Sequence, residues 1–350
     1  MNLNTINNKE KNKLVIISNE SISKKNNSFF CDNIDLKSTP EGLSDFFDVN
    51  LIGRSSKKNR SHHIKLKNID ITFNFFSYIL KIFKFFSKSK IKYLIVSITP
   101  YTFFAIIFLK LFKKKPIVYL RSDGFSEYKV ILGIWGPFIY GMMFNIVSRI
   151  TNLISCRKYI LHGRSGDIVS PSQLNKNWFI NTKTPKLDKV RLLYVGRIKK
   201  EKGIFSLIKL LKEIRSKCNL TIIGADQNFK NLILEKNINL FCIESDEKKL
   251  IEHYDNHNIF ILPSYTEGHP MVILESLARL RPVIIFKDIE HVIEDKKGIF
   301  VAERNSKSLL EKIDFIKKNY FSIQEEMKKN NLPTNQDFLR ELSSTISKIN

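Results

Sequence analysis

From Val190 onward the chain alternates short runs of buried-strand composition with helical runs, each strand handing over to its helix through a polar or Gly-containing loop. Strands are expected at 191–195, 219–223, 238–243, 258–262 and 282–286, and helices at 203–217, 229–236, 247–254 and 270–279. Such alternation requires a parallel sheet covered on both faces. The handover after Asn258-Ile259-Phe260-Ile261-Leu262 is the most informative. There Ser264-Tyr265-Thr266-Glu267-Gly268-His269-Pro270 leads straight into the helical run Met271-Val272-Ile273-Leu274-Glu275. One carboxylate, Glu267, stands just before the helix, and a second, Glu275, stands on its second turn.

That spacing fits a site for a sugar joined to a nucleoside diphosphate. Gly268 lets a phosphate approach the backbone, and Pro270 suits a first helical position. His269 and Met271 flank it, and the N–H groups of the helix start face the anion. Glu267 reaches hydroxyls on one side of the phosphates and Glu275 reaches a ribose on the other. The pair by itself equally suits an acid favoured by the helix dipole beside a solvated Glu. A second cluster weighs against that bland reading. Val190-Arg191-Leu192-Leu193-Tyr194-Val195-Gly196-Arg197 is a strand ending in Gly, followed by Ile198-Lys199-Lys200-Glu201-Lys202-Gly203 and a helical run from Ile204. The C-terminal ends of strands are where open α/β sheets bind ligands. Arg197 offers a planar donor fork for phosphate oxygens and Lys202 a compact point charge.

Val195-Gly196-Arg197…Glu201-Lys202-Gly203 and Leu262-Pro263-Ser264…Glu267-Gly268…Pro270…Leu274-Glu275 together resemble the signature of glycosyltransferase family 4. The likeness covers Val190 to Val301 well and the N-terminal half in outline. It implies two Rossmann-like, doubly wound α/β domains of the GT-B fold facing a cleft. It also implies retaining transfer from a UDP- or GDP-sugar to a lipid-linked or polysaccharide hydroxyl. By the same resemblance Glu267 contacts the donor sugar, Glu275 holds the ribose, and Arg197 and Lys202 stabilise the diphosphate. Three departures stand out. Leu280 occupies a position where the family usually has Gly. The strand Lys13–Ser18 is followed by Asn19-Glu20-Ser21-Ile22-Ser23 rather than paired glycines. Arg121-Ser122-Asp123-Gly124 follows Pro116–Leu120, where many relatives place a His. Arg121 and Asp123 are offered from position as acceptor-side groups, although Asp123-Gly124 also reads as an ordinary turn. His162 reads as a loop residue. No Asp-x-Asp pair is present, and neither metal nor cofactor is expected.

The length favours two domains: 1–172 on the acceptor side, 173–189 as connection, and 190–334 for the donor. Residues 335–350 are expected as a helix packing back on the first domain. Strands in the first domain are expected at Lys13–Ser18, Val49–Ile52, Tyr93–Ile98, Ile117–Leu120 and Asp167–Ser170. Cys31, Cys156, Cys218 and Cys242 make no metal-ligand pair, and Cys218 and Cys242 read as small core residues. With a polar N-terminus lacking an apolar signal core, they suit a reducing cytoplasm.

The net charge of +24 is uneven. Residues 1–185 hold 29 Lys and Arg against 11 Asp and Glu, a surplus of 18, whereas 186–350 hold 29 against 23, a surplus of 6. Between Leu51 and Leu120 the only acid is Asp70, in a stretch rich in Phe and Lys. Aromatics in a cationic groove suit single-stranded nucleic acid, but Ile79, Leu80, Ile82, Ile106, Ile107 and Leu109 are excessive for such a groove. An anionic membrane surface fits better, the chain being peripheral on its inner face; no nucleic acid is expected. The charge-free run Val130–Val147 is long enough to span a bilayer. Its glycines and Pro137 argue instead for an interfacial or buried helix pair broken near Pro137. The competing class is a non-enzymatic basic protein that binds membranes or nucleic acid. An epimerase or phosphorylase of the same fold would need different donor-loop residues.

Overall fold

The computed structural model describes residues 11–86, 91–214, 218–225 and 237–349. The helix expected at 229–236 and the end of the one expected at 203–217 lie outside the described residues. Two compact units emerge: Met1–Val169 with Leu339–Asn350, and Ser170–Phe338.

The first unit runs β1 (Lys13–Lys25), β2 (Ser28–Cys31), α1 (Ile34–Leu43), β3 (Asp48–Ser55), β4 (His62–Ile64), β5 (Asn68–Thr72) and α2 (Phe75–Phe83). It continues through β6 (Ile91–Val96), α3 (Pro100–Leu111), β7 (Pro116–Leu120), α4 (Gly124–Leu132), α5 (Trp135–Ile150), β8 (Asn152–Ser155) and β9 (Asp167–Ile168). Its parallel strands lie in the order β5-β3-β1-β6-β7-β8-β9. Strand order therefore reverses beside β1. One core cluster joins the sheet to Tyr78 and Ile82 of α2, Ala105, Ile106 and Leu109 of α3, and Phe144 and Val147 of α5.

Two sequence expectations change here. The first strand does not stop at Ser18. After a register shift between Ile17 and Ser21 it continues to Lys25 and turns back antiparallel onto β2. The turn residues Asn26 and Asn27 have φ of 46° and 62°. Two successive positive φ angles form the hairpin turn that suits strand twist, and Asn tolerates them. The apolar run 130–147 is a helix pair, but it breaks at Gly133 (φ 64°) rather than at Pro137. Pro137 sits in the first turn of α5, where its missing N–H would have had no helical partner. No helix among the described residues is long and apolar enough to cross a membrane.

The second unit runs β10 (Val190–Val195), α6 (Ile204–Glu213), β11 (Cys218–Ile223), β12 (Ile238–Phe241), α7 (Glu247–Asn256), β13 (Ile259–Leu262) and α8 (Met271–Ala278). It ends with β14 (Val283–Phe286), β15 (Ile299–Ala302), α9 (Ser306–Lys318) and α10 (Tyr320–Met327). All six strands are parallel, in the order β12-β11-β10-β13-β14-β15. This is the doubly wound order of mononucleotide-binding halves, and its switch point lies between β10 and β13. Cys218 is buried as expected, but Cys242 is exposed, because it lies just past β12 at the sheet's edge. A last helix, α11 (Asn335–Lys348), has its part from Leu339 onward in the first unit. There Leu342 and Ile346 are buried, and Lys92 Nζ donates to the carbonyl of Ile349 at 2.5 Å.

Segment 173–189 is carried by the second unit and fastened to it by two buried guanidiniums. Arg279 donates to both Asp255 carboxylate oxygens, at 2.9 and 2.8 Å, and to the carbonyls of Trp178, Ile180 and Asn181. Arg281 donates to the carbonyls of Tyr254, Arg279, Lys183 and Asp255. Both arginines are 1% exposed, so every donor must find a partner. Breaking such a buried pair by removing one side costs about 3–5 kcal/mol.

Between these two anchors the chain must turn sharply out of α8, and Leu280 takes φ 53° to do so. Here the departure noted in the sequence acquires a structural cost. A left-handed conformation costs a residue with a Cβ about 1–2 kcal/mol, and glycine almost nothing. Leu280→Gly and Leu280→Ala both lose the partly buried side chain, but only glycine relieves the backbone. The glycine variant is expected to be about 1 kcal/mol more stable than the alanine variant in urea denaturation. An alanine variant of equal or greater stability would contradict the strain.

Candidate functional site

Because β10 and β13 are hydrogen-bonded neighbours, with Leu192 opposite Ile259 and Leu193 opposite Phe260, the loops leaving their C-terminal ends emerge side by side. The β10 loop passes Gly196 and Arg197, forms a short 3-10 turn at Lys200–Lys202, and enters α6 through Gly203. Gly203 has φ 66°, and a Cβ there would lie 1.9 Å from the Pro263 carbonyl oxygen. Only glycine allows this approach. A backbone hydrogen bond from Tyr265 N to Glu201 O, 2.9 Å, closes the same seam.

Across the seam the two loops exchange charge. Lys202 Nζ lies 2.7 Å from Glu267 Oε1, and Ser264 Oγ donates to the same oxygen at 2.6 Å. Glu267 is 10% exposed at its side chain and Lys202 23%, so the pair is only partly open to solvent. His291 Nε2 meets the Glu267 carbonyl at 2.9 Å, and His269 Nε2 meets the Pro171 carbonyl at 2.6 Å. Gly268 is buried between these two anchors. Pro270 is the N-cap of α8, one place before the first helical residue, Met271. The helix therefore starts one residue later than the proline suggests, and its N-terminus points from the same loop.

Glu275 faces inward from the second turn of α8. It is 8% exposed and accepts a hydrogen bond from Tyr254 Oη on α7 at 2.8 Å. Burial raises the Tyr254 hydroxyl well above its ordinary pKa, and the Glu275 carboxylate beside it adds to the effect. The hydroxyl thus stays a donor, and the carboxylate is held in one orientation. Arg197 is exposed past Gly196, and its carbonyl accepts from Tyr194 Oη at 2.9 Å. The backbone there is fixed while the guanidinium faces solvent.

Sequence reasoning missed the group that fastens the β13 loop. Arg304, two residues past β15, donates to the carbonyls of Pro263 (3.0 Å) and Ser264 (3.3 Å) and pairs with Asp288 at 2.6 Å. Its guanidinium also stacks over Tyr265 and Phe286, 4.1 and 4.5 Å from the ring centroids. Its place at the C-terminal end of a parallel strand was the available signal, since that edge of the sheet is where such sites form.

In the first unit Arg121 and Asp123 follow β7. Arg121 Nη2 pairs with Asp35 at 2.5 Å, tying the end of β7 to α1. Asp123 caps α4, accepting from the backbone of Phe125 and Ser126, and meets His162 Nε2 at 2.9 Å. Burial acts to raise the Asp123 carboxyl, but hydrogen bonds from Ser126 and His162 outweigh it and hold the pKa below the usual value. His162, read as a loop residue, has a left-handed backbone (φ 45°) and packs on the Phe125 ring. The link between His162 and Asp123 was invisible in sequence because 38 residues separate them.

Residues 176–332 match the family model described as glycosyl transferases group 1. The Staphylococcus aureus capsular polysaccharide biosynthesis glycosyltransferase CapM is 35% identical over 134 residues, which is 35% of this chain and 35% of CapM. A Campylobacter jejuni N,N'-diacetylbacillosaminyl-diphospho-undecaprenol alpha-1,3-N-acetylgalactosaminyltransferase is 28% identical over 131 residues, 36% of this chain and 35% of that relative. The chain thus spans only about a third of these relatives' length. Similarity of fold extends further. Anabaena HepE, solved with UDP and glucose, superposes with a TM-score of 0.69 at 12% identity, over 95% of this chain and 99% of that one. Sucrose-phosphate synthase from Thermosynechococcus elongatus superposes at 0.64 and 14% identity, over 97% and 95%. Residues 176–332 are accordingly similar to the glycosyl transferases group 1, within a chain whose two α/β units have the GT-B fold.

Proposed function

We propose that the protein transfers a hexose-type sugar from a nucleoside-diphosphate sugar to a hydroxyl of a lipid-linked or cell-surface polysaccharide acceptor, retaining the anomeric configuration. The observation that carries this reading is the contact between Lys202 and Glu267 at the switch point of the second unit's sheet. It joins the two loops that the sequence marks as a phosphate-binding turn and a sugar-binding acid. The pyrophosphate would sit between Gly196 and Gly268, against the start of α8 formed by Pro270 and Met271. Glu275, aimed by Tyr254, would accept from the ribose hydroxyls, and His269 and Glu267 would face the sugar. UDP is the favoured carrier, since HepE was crystallised with UDP and glucose; GDP remains the comparison arm of the test.

The chemistry asks for charge stabilisation. As the bond from the anomeric carbon to the diphosphate oxygen breaks, its electron pair goes to the leaving group. Lys202, Arg197 and the helix start would meet that charge in a preorganised way. Donor binding would draw the Lys202 ammonium from Glu267 toward phosphate and release the carboxylate to sugar hydroxyls. The acceptor oxygen bonds the same face of the anomeric carbon, and its proton passes to the departing diphosphate oxygen. On this reading no metal or cofactor is needed. Arg121 and Asp123 stand on the acceptor-bearing unit. The Phe-rich helices α2 and α3, with the lysines that follow each of them, would bring that unit to the cytoplasmic face of an anionic membrane.

Three arms test this. A thermal-shift series with UDP-, GDP- and ADP-sugars should show stabilisation by one base; indifference to all three, with salt-sensitive binding to nucleic acid instead, would favour the non-enzymatic reading. Lys202→Ala should lower turnover roughly a hundredfold or more, the usual effect of losing one charge-stabilising contact worth about 3–4 kcal/mol. Near-normal turnover of a folded variant would remove Lys202 from the chemistry. Arg304→Ala should loosen the Ser264–Glu267 loop and cut kcat/KM about tenfold or more, because small misplacements of positioning groups cost that much. If kcat/KM holds while the melting temperature falls, Arg304 serves stability alone.

A further inference from the structure

The pair α4–α5 buries one side and leaves the other bare. Between Lys129 and Arg149 no residue is charged. Inward, the two helices approach closely: Tyr140 lies where a Cβ on Gly124 would sit, and the Tyr128 carbonyl where one on Gly136 would sit. Tyr140, Met143, Phe144 and Val147 enter the core of the first unit. Outward, Ile131 is 71% exposed, Ile134 87%, Trp135 69%, Phe138 70% and Met142 53%. Ile131 and Ile134 flank the Gly133 turn, and Trp135, Phe138 and Met142 follow on one face of α5 at helical spacing. Isolated exposed apolar residues are ordinary, but a contiguous tip of this kind marks an interaction surface.

The surroundings say what covers it. From Ile71 to Ser122 the chain holds ten Lys and Arg and no acid. Within that stretch α3 packs beside α5, and Lys84, Lys113 and Lys115 are exposed next to the partly open cluster of Phe83, Phe108 and Phe112. A second copy docking through this same face would bring like-charged belts together, whereas an anionic lipid surface complements them. Trp at the rim of the apolar tip suits the level of the headgroups. At 16 and nine residues the two helices are too short to cross, so the geometry is that of an element lying in one leaflet.

We infer that the tip of the α4–α5 hairpin, Ile131 to Met142, inserts into the interfacial zone of an anionic phospholipid bilayer as the wedge that seats the first unit. The inference rests on the membrane-docking part of the proposed function and sharpens it: the lysines that follow α2 and α3 supply attraction, and the hairpin supplies insertion. The donor-site reading is independent of it.

Trp135 makes the test direct, because the only other tryptophan, Trp178, is 3% exposed. The full-length protein is mixed with phosphatidylcholine vesicles containing 30% phosphatidylglycerol, and separately with pure phosphatidylcholine, as about three to seven parts anionic to neutral lipid. Expected are co-sedimentation with the anionic vesicles, weakening as salt rises, and a blue shift of the emission with quenching by brominated lipid. In Trp135→Phe the quenching should vanish. Ile131→Ser/Ile134→Ser/Phe138→Ser should lower partitioning about tenfold or more, as expected for withdrawing three inserted apolar side chains. Its melting temperature and its shift with UDP-sugar should stay unchanged, since these side chains are exposed. Undiminished binding of the triple variant, or unquenched Trp135 in the bound protein, would overturn the wedge while leaving docking through α2 and α3 in place. Equal affinity for neutral vesicles would overturn the anionic surface. A lipid-free dimer of the native protein that the triple variant dissolves would make the occupant a second copy.

Discussion

The candidate site depends on one pairing, the hydrogen-bonded contact of β10 with β13. Among the described residues these strands are separated by β11, β12, α6 and α7, yet they are neighbours in the sheet, and both run in the same direction. Whatever leaves their C-terminal ends must therefore share one patch of surface. Residues 65 positions apart thereby come to lie 2.7 Å apart. The close packing of Gly203 on the Pro263 carbonyl fixes how near the loops can come, so that glycine belongs to the site as much as the charges do. Arg304 then holds the β13 loop from its far side through two carbonyls and two rings. A partly buried ion pair is a weak source of stability. On the proposed function this one is a charge reservoir that a more negative ligand would draw upon.

The second unit was the more legible in sequence for a physical reason. Strands buried on both faces read as unbroken apolar runs, as Phe260-Ile261-Leu262 and Val283-Ile284-Ile285 do, and a run of that kind has few other homes. In the first unit β2, β4 and β5 are short and half-polar, and two of them lie in an antiparallel extension where burial is one-sided. The signal for β2 was the Asn26-Asn27 turn, a local backbone preference rather than a hydrophobic pattern. The sequence puts the break near Pro137, since proline is a helix breaker in a helix interior. Its position in the first turn makes it harmless, and the glycine four residues earlier does the turning.

Long-range polar contacts were beyond what spacing can show. Arg279 and Arg281 are both buried and answered by Asp255 and a set of carbonyls from residues 178–183. Nothing local marks a carbonyl as the partner of a guanidinium a hundred residues away. The consequence for the backbone is local, however. Fixing two consecutive-but-one side chains inward at the end of a helix leaves the residue between them little choice of conformation, and Leu280 is driven into left-handed space. The absence of glycine there was visible in the sequence, and its cause was not.

The charge asymmetry between the halves acquires a meaning once the elements are placed. A uniformly basic chain would advertise solubility or a polyanion. Here the surplus gathers in the unit that also exposes the Ile131–Met142 tip, while the unit richer in acids holds the residues that match the glycosyl transferases group 1 model. At the candidate site Lys202 and Arg304 are already paired with carboxylates. The other unit carries the cations and apolar tips that a lipid surface would recruit.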